Sequence, residues 1–105
     1  MSQDIVTKLA VVLEQRKTAD PKESYAASLY SKGLDHILKK LDEECEETIH
    51  AARVETRSAL IHEVADLWFH SLVLLAAKDI NPDEVFAELE HRAGLSGLAE
   101  KASRQ

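Results

Sequence analysis

Apolar residues recur along this chain at intervals of three and four, the spacing that lines one side of an α-helix. Ile5, Leu9, Val12 and Leu13 follow it over a first segment, roughly residues 4–17. Thr18-Ala19-Asp20-Pro21 predicts its end, because proline holds the residue before it in extended conformations. Ser24-Tyr25 then opens a short helical piece that Gly33 closes as a left-handed cap. Beyond it, Leu34, Ile37, Leu38, Leu41, Cys45, Ile49 and Ala52 form one stripe. This predicts a long amphipathic helix from Leu34 to about Val54, with Cys45 packed in the core.

The segment from Thr56 to Lys78 has no such stripe. Leu60, Ile61, Val64, Leu67, Trp68, Phe69, Leu72, Val73 and Leu75 point in nearly every direction around its axis. A helix apolar all round is a buried helix, and a chain of 105 residues has little protein with which to surround one. A second subunit is therefore expected to help. Asn81-Pro82-Asp83-Glu84 reads as an N-cap, a proline at the first helical position and an acid at the third, starting a helix that runs to about Arg92. The tail from Gly94 holds too few apolar side chains for a core. The fold class is all-α: one domain over 1–105, a bundle of four to five helices completed by an intertwined homodimer.

Composition supports this picture. Apolar residues make up 45% and charged residues 30%, with three Gly, two Pro and five aromatics, which excludes a disordered tail or a turn-rich sandwich and leaves an aliphatic core. A formal net charge of −6 repels phosphodiester backbones, so nucleic acid is not an expected partner. One cysteine excludes an internal disulfide and suits a reducing compartment. The start Met1-Ser2-Gln3-Asp4 does not read as a signal peptide, and the apolar run Leu67–Ala77 is too short to span a bilayer. A soluble cytoplasmic protein without a membrane partner is expected.

Charge placement carries the chemistry. Asp42-Glu43-Glu44-Cys45-Glu46-Glu47 puts five acids in six helical positions, and Glu43, Glu44 and Glu47 crowd one side. Like charges three or four apart destabilise a helix, so the run is either a solvated face or a binding site. Glu63 and Asp66 lie on the otherwise apolar helix, where solvation explains them poorly. Carboxylates on a buried helix are costly unless paired or bound to a cation. Two helices joined by a short connection pack antiparallel, and that brings the two acidic groups level. Such an oxygen-rich spot suits Mg²⁺, which shares its shell between carboxylates, waters and substrate phosphates. His70 is either a partner of this cluster or a packed core histidine. Cys45 and the remaining histidines give no zinc pattern.

Glu44 and Glu47, then Glu63 and Asp66, resemble the paired-carboxylate signature of the all-α nucleoside triphosphate pyrophosphohydrolases. Ser24-Tyr25, Leu29, Gly33, Lys40, Ala65-Asp66-Leu67 with His70, Val73-Leu74-Leu75, Arg92, Ser96-Gly97-Leu98 and Glu100-Lys101-Ala102 with Arg104 narrow the resemblance to the phosphoribosyl-ATP pyrophosphatases of histidine biosynthesis. It covers essentially the whole chain. Asp42 stands where that pattern has glycine and Ala26 where it has threonine; neither change removes a ligand. The resemblance implies Mg²⁺-dependent hydrolysis of phosphoribosyl-ATP to phosphoribosyl-AMP and pyrophosphate, with Mn²⁺ able to substitute. It implies Glu44, Glu47, Glu63 and Asp66 as metal ligands and an interwoven homodimer. It also raises a functional coupling to the phosphoribosyl-AMP cyclohydrolase.

Glu43 is the default group to take a proton from the attacking water. Lys40, Lys101 and Arg104 are the candidates for phosphate contacts, with Arg16 as a further one. Lys40 serves equally as an ion-pair partner in its own helix, and Arg16 as a surface residue. Two competing readings are a housekeeping nucleoside triphosphate pyrophosphohydrolase and a non-catalytic acidic interaction module. The Ser24-Tyr25 segment and the 96–104 tail argue against the first, and metal dependence discriminates the second.

Overall fold

A computed structural model of the chain describes residues 2–94, and these are all helix and connection, with no strand among them. The elements are α1 (Ser2–Gln15), a 3₁₀ turn (Arg16–Thr18), α2 (Tyr25–Lys32), α3 (Leu34–Val54), α4 (Arg57–Ala77) and α5 (Pro82–Ala93). The side-chain caps fall where the sequence puts polar residues. Ser24 Oγ accepts from the Ala27 amide at 3.1 Å, Thr56 Oγ1 from that of Ala59 at 3.2 Å, and Asn81 Oδ1 from that of Asp83 at 2.9 Å. Each such cap contributes about 1 kcal/mol.

Two backbone positions fix the corners. Gly33 joins α2 to α3 at φ +96°, ψ 174°, which is not the left-handed helical cap the sequence suggests but an extended mirror conformation open essentially to glycine alone. Asp79 sits at φ +57° after α4. There the Ile80 amide reaches the Leu75 carbonyl at 2.9 Å and the Asp79 amide the Ala76 carbonyl at 3.0 Å, closing the helix with its last carbonyls satisfied. The Asp79 carboxylate accepts from Lys17 Nζ at 2.9 Å and ties this corner to the end of α1.

α3 and α4, joined by two residues, pack antiparallel along their length; α1 crosses α4, and α2 leans on α3. The core is small: Leu13, Ala26, Leu29, Ile37 and Val73 are buried, with Leu9, Tyr30, Phe69 and Leu72 packed around them. Tyr30 donates its hydroxyl to the Leu13 carbonyl at 3.0 Å, fastening α2 to α1.

The apolar stripe expected on α3 lies only partly in that core. Its buried residues are Ile37, Glu44 and Ala51, one every seven positions. Cys45 is exposed, not core, and Leu34, Leu38 and Ile49 are exposed too. The reason is rotational: the side of α3 turned to α4 carries Glu44, so the neighbouring apolar stripe turns outward. α4 behaves likewise. Only His70 and Val73 are fully buried, while Ile61 and Trp68 are 58% and 63% exposed. The radius of gyration, 15.7 Å, exceeds the roughly 12–13 Å of a compact domain of this size. By length and composition α4 is apolar enough to cross a membrane, more so than the run 67–77 suggests. Glu63 and Asp66 within it and the packing of α3 along it make it a bundle helix.

Candidate metal centre

The antiparallel pairing brings the acids level. Carboxylate oxygens of Glu44 and Glu47 from α3 and Glu63 from α4 lie within 4.8 Å of one another. A second group shares Glu63: a His62 ring nitrogen, a Glu63 oxygen and an Asp66 oxygen fall within the same distance. Asp66 thus stands next to the tight triad and outside it, with its Oδ2 3.3 Å from His62 Nε2.

Glu44 is the telling member. It is 6% exposed, and its Oε2 has no hydrogen-bond partner. An unpaired polar atom buried in this way carries its full desolvation cost. Burial pushes the Glu44 carboxyl above its ordinary value; the nearby Glu47 and Asp66 charges push the same way, and His70 pulls against them. Desolvation and then the Glu47 charge also raise Glu63. A set of hard oxygens, mutually repelling and including one orphaned buried atom, fits a divalent cation such as Mg²⁺.

The surroundings were only partly foreseeable. Thr48 donates its hydroxyl to the Glu44 carbonyl at 2.8 Å, and the same oxygen reaches the Glu63 carbonyl on α4 at 3.4 Å, stitching the two acidic turns together. His70 is buried, with Nδ1 2.7 Å from the Asp66 carbonyl and Nε2 2.9 Å from the Tyr25 hydroxyl. The spacings 62/66 and 66/70, one helical turn each, were the available signal for both histidines.

Glu43 belongs to neither triad. It lines the acidic groove with Glu46, Glu47, His50, Glu55 and Glu63, and its Oε1 receives a bond from Lys40 Nζ at 3.2 Å. Lys40 is therefore an ion-pair partner at the edge of the site, held protonated chiefly by that bond. Arg16 lies exposed in the 3₁₀ turn and does not line the groove. Lys101 and Arg104 lie outside the described residues.

A helical chain with a carboxylate cluster between two antiparallel helices, one of its members buried, is the class that fold and site define. The family model described as phosphoribosyl-ATP pyrophosphohydrolase matches residues 6–93. A phosphoribosyl-ATP pyrophosphatase of Methylococcus capsulatus (strain ATCC 33009 / NCIMB 11132 / Bath) is 56% identical over 97% of each chain. One from Ruthia magnifica subsp. Calyptogena magnifica is 56% identical over 96% of each chain. The chain belongs to the phosphoribosyl-ATP pyrophosphohydrolase family.

Proposed function

We propose that this chain hydrolyses phosphoribosyl-ATP to phosphoribosyl-AMP and pyrophosphate, the second step of histidine biosynthesis, as a Mg²⁺-dependent cytoplasmic homodimer. The observation that carries the chemistry is buried Glu44, with one oxygen unpartnered and its carboxylate clustered with those of Glu47 and Glu63 between two helices of a chain in this family. Glu44, Glu47, Glu63 and Asp66 are the residues that would hold Mg²⁺, or Mn²⁺ in its place. When bound, the ion would neutralise the triphosphate and acidify an attacking water.

The chain's own groups do the rest. Glu43, beside the triad but not in it, takes the proton of the water. Lys40, held 3.2 Å from Glu43, offers its remaining donors to a phosphate oxygen. Lys101 and Arg104 are assigned to phosphate contacts on the strength of the sequence pattern, and Arg16 is a weaker candidate because it does not line the groove. The homodimer reading rests on the outward apolar faces of α3 and α4, where Leu38, Ile49, Ile61 and Trp68 are exposed. A contiguous outward apolar face marks an association surface.

The decisive experiment measures pyrophosphate release from phosphoribosyl-ATP beside a panel of common nucleoside triphosphates, with Mg²⁺ and with chelator. Turnover of phosphoribosyl-ATP should exceed that of the others at least about tenfold, a transition-state difference of about 1.4 kcal/mol or more. Equal turnover across the panel would point to the housekeeping activity instead. Turnover insensitive to chelation would remove the metal.

A further inference from the structure

Among the metal-ligand candidates Asp66 is the exception, because it stands outside the tight triad and its carboxylate faces His62. What fixes its position is behind it. The Asp66 carbonyl receives the buried His70 ring, with Nδ1 at 2.7 Å. A carbonyl oxygen only accepts, so Nδ1 carries the proton. The other ring nitrogen, Nε2, pairs with the Tyr25 hydroxyl at 2.9 Å, so both nitrogens of the buried ring have a partner.

Packing holds the same arrangement. The Tyr25 ring lies 6.2 Å from Phe69 at 25° and 5.8 Å from His70 at 81°, and Phe69 meets His70 edge-on at 5.4 Å. Offset and edge-to-face contacts of this kind are the favoured ring geometries. Tyr25 is the first residue of α2, placed there by the Ser24 cap, and α2 leans on α3, the helix that carries Glu44 and Glu47. One hydroxyl therefore connects α2 to the turn of α4 that carries Asp66.

We infer that Tyr25 and His70 form a latch, a pair of positioning residues that holds the Asp66 turn beside the Glu44, Glu47 and Glu63 carboxylates and so keeps Asp66 next to the cation site they form. The inference rests on the metal reading of the site. Neither residue belongs to either group of clustered ligand atoms. Outer partners of this kind set ligand orientation, and their loss commonly weakens metal binding about 10–100-fold.

The test uses the full chain with ¹⁵N-labelled histidine. Long-range ¹H–¹⁵N spectra of the metal-free protein should show a proton on His70 Nδ1; an Nδ1 without a proton overturns the latch. Tyr25→Phe keeps the ring packing and removes only the hydroxyl. Its helicity and metal-free Tm should stay close to those of the parent chain, while calorimetric titration shows Mn²⁺ or Mg²⁺ bound about tenfold more weakly. His70→Asn, which keeps a donor near the Asp66 carbonyl and is too short to place an atom where Nε2 meets Tyr25, should weaken the metal similarly. Lower thermal stability with unchanged metal affinity in both variants would make the pair merely structural and sink the proposal. A parent chain that binds neither ion would instead overturn the metal site itself, and the two failures are thereby distinct. If Tyr25→Phe loses helicity, the Nδ1 proton of the parent chain and the His70→Asn titration decide.

Discussion

Glu44→Gln should make the protein more stable and nearly inactive. The substitution keeps the shape of the side chain and removes one charge from a group that is 6% exposed, whose Oε2 has no partner and whose carboxylate lies within 4.8 Å of Glu47 and Glu63. Two unit charges at that separation repel by about 3.5 kcal/mol at an effective dielectric of 20. Glu47 is exposed, so solvent screening leaves about 1 kcal/mol for the Glu44–Glu47 pair. The new amide also gains acceptors in the two remaining carboxylates. Metal-free Glu44→Gln should therefore be about 1–2 kcal/mol more stable, and for a domain of this size each kcal/mol raises the midpoint by about 4–8 °C. Saturating Mg²⁺ reverses the order, because ion at 100 times its dissociation constant adds about 2.7 kcal/mol to a chain that binds it and little to one that does not. Turnover should drop at least about 100-fold, beyond the usual effect of changing a ligand's neighbour. Scanning calorimetry at fixed protein concentration, with chelator and then with Mg²⁺, reads both halves. A metal-free midpoint several degrees below the parent's, or a Mg²⁺ shift equal to the parent's, would refute the reasoning.

Three further outcomes follow from the same structure. Gly33→Ala should destabilise by about 1–3 kcal/mol in urea titration although nothing lies within 4 Å of the added methyl, because φ +96° with ψ 174° is strained for any side chain. Burial, with repulsion from Glu47, raises both Glu44 and Glu63 above the ordinary 4.5, so the folded chain holds these protons more tightly than the unfolded one. Their contribution is therefore full below the ordinary value and lost as pH rises through the raised ones. The metal-free parent should lose stability relative to Glu44→Gln between acidic and neutral pH; parallel pH profiles would contradict the shift. Trp68→Asp, on a side chain 63% exposed, should leave helicity in place and dissociate the proposed homodimer in sedimentation; a variant that sediments as the parent does would exclude that face from the interface.

Helix positions were legible because their signals are local. Pro21, the Ser24, Thr56 and Asn81 caps and Gly33 each act within one turn, and the observed bounds differ from the pattern by one or two residues. The levelling of the acids was legible too, since a two-residue connection leaves α3 and α4 little freedom in register. The rotation of α3 about its axis was not. Counting apolar residues centres the helix on Leu38, Cys45 and Ile49, yet the protomer buries Ile37, Glu44 and Ala51. Hydrophobic periodicity adds every apolar contact together, those within the chain and those beyond it. A helix with apolar side chains on more than one side therefore yields an average direction that differs from the side the chain itself buries. The Tyr25–His70 bond spans 45 residues and depends on how α2 leans on the bundle, so no local pattern announces it.

The conflict on α3 explains why the site lies where it does. A position turned toward α4 in the middle of the helix pair would ordinarily hold leucine; here it holds Glu44. In a protein of marginal stability that choice is retained only where something compensates, since a buried carboxylate with an orphaned oxygen favours unfolding. Two compensations are within reach. A cation would turn three repulsions into shared coordination, and a second subunit against Leu38, Ile49, Ile61 and Trp68 would add the apolar burial that the protomer lacks. On the proposed function the helix pair has one side for the ion and another for the partner. Loosening the partner side should weaken the ion side, because both act on the packing of α3 against α4. Mg²⁺ affinity and dimer affinity should rise and fall together, as thermodynamic linkage requires of two ligands that favour the same packed state.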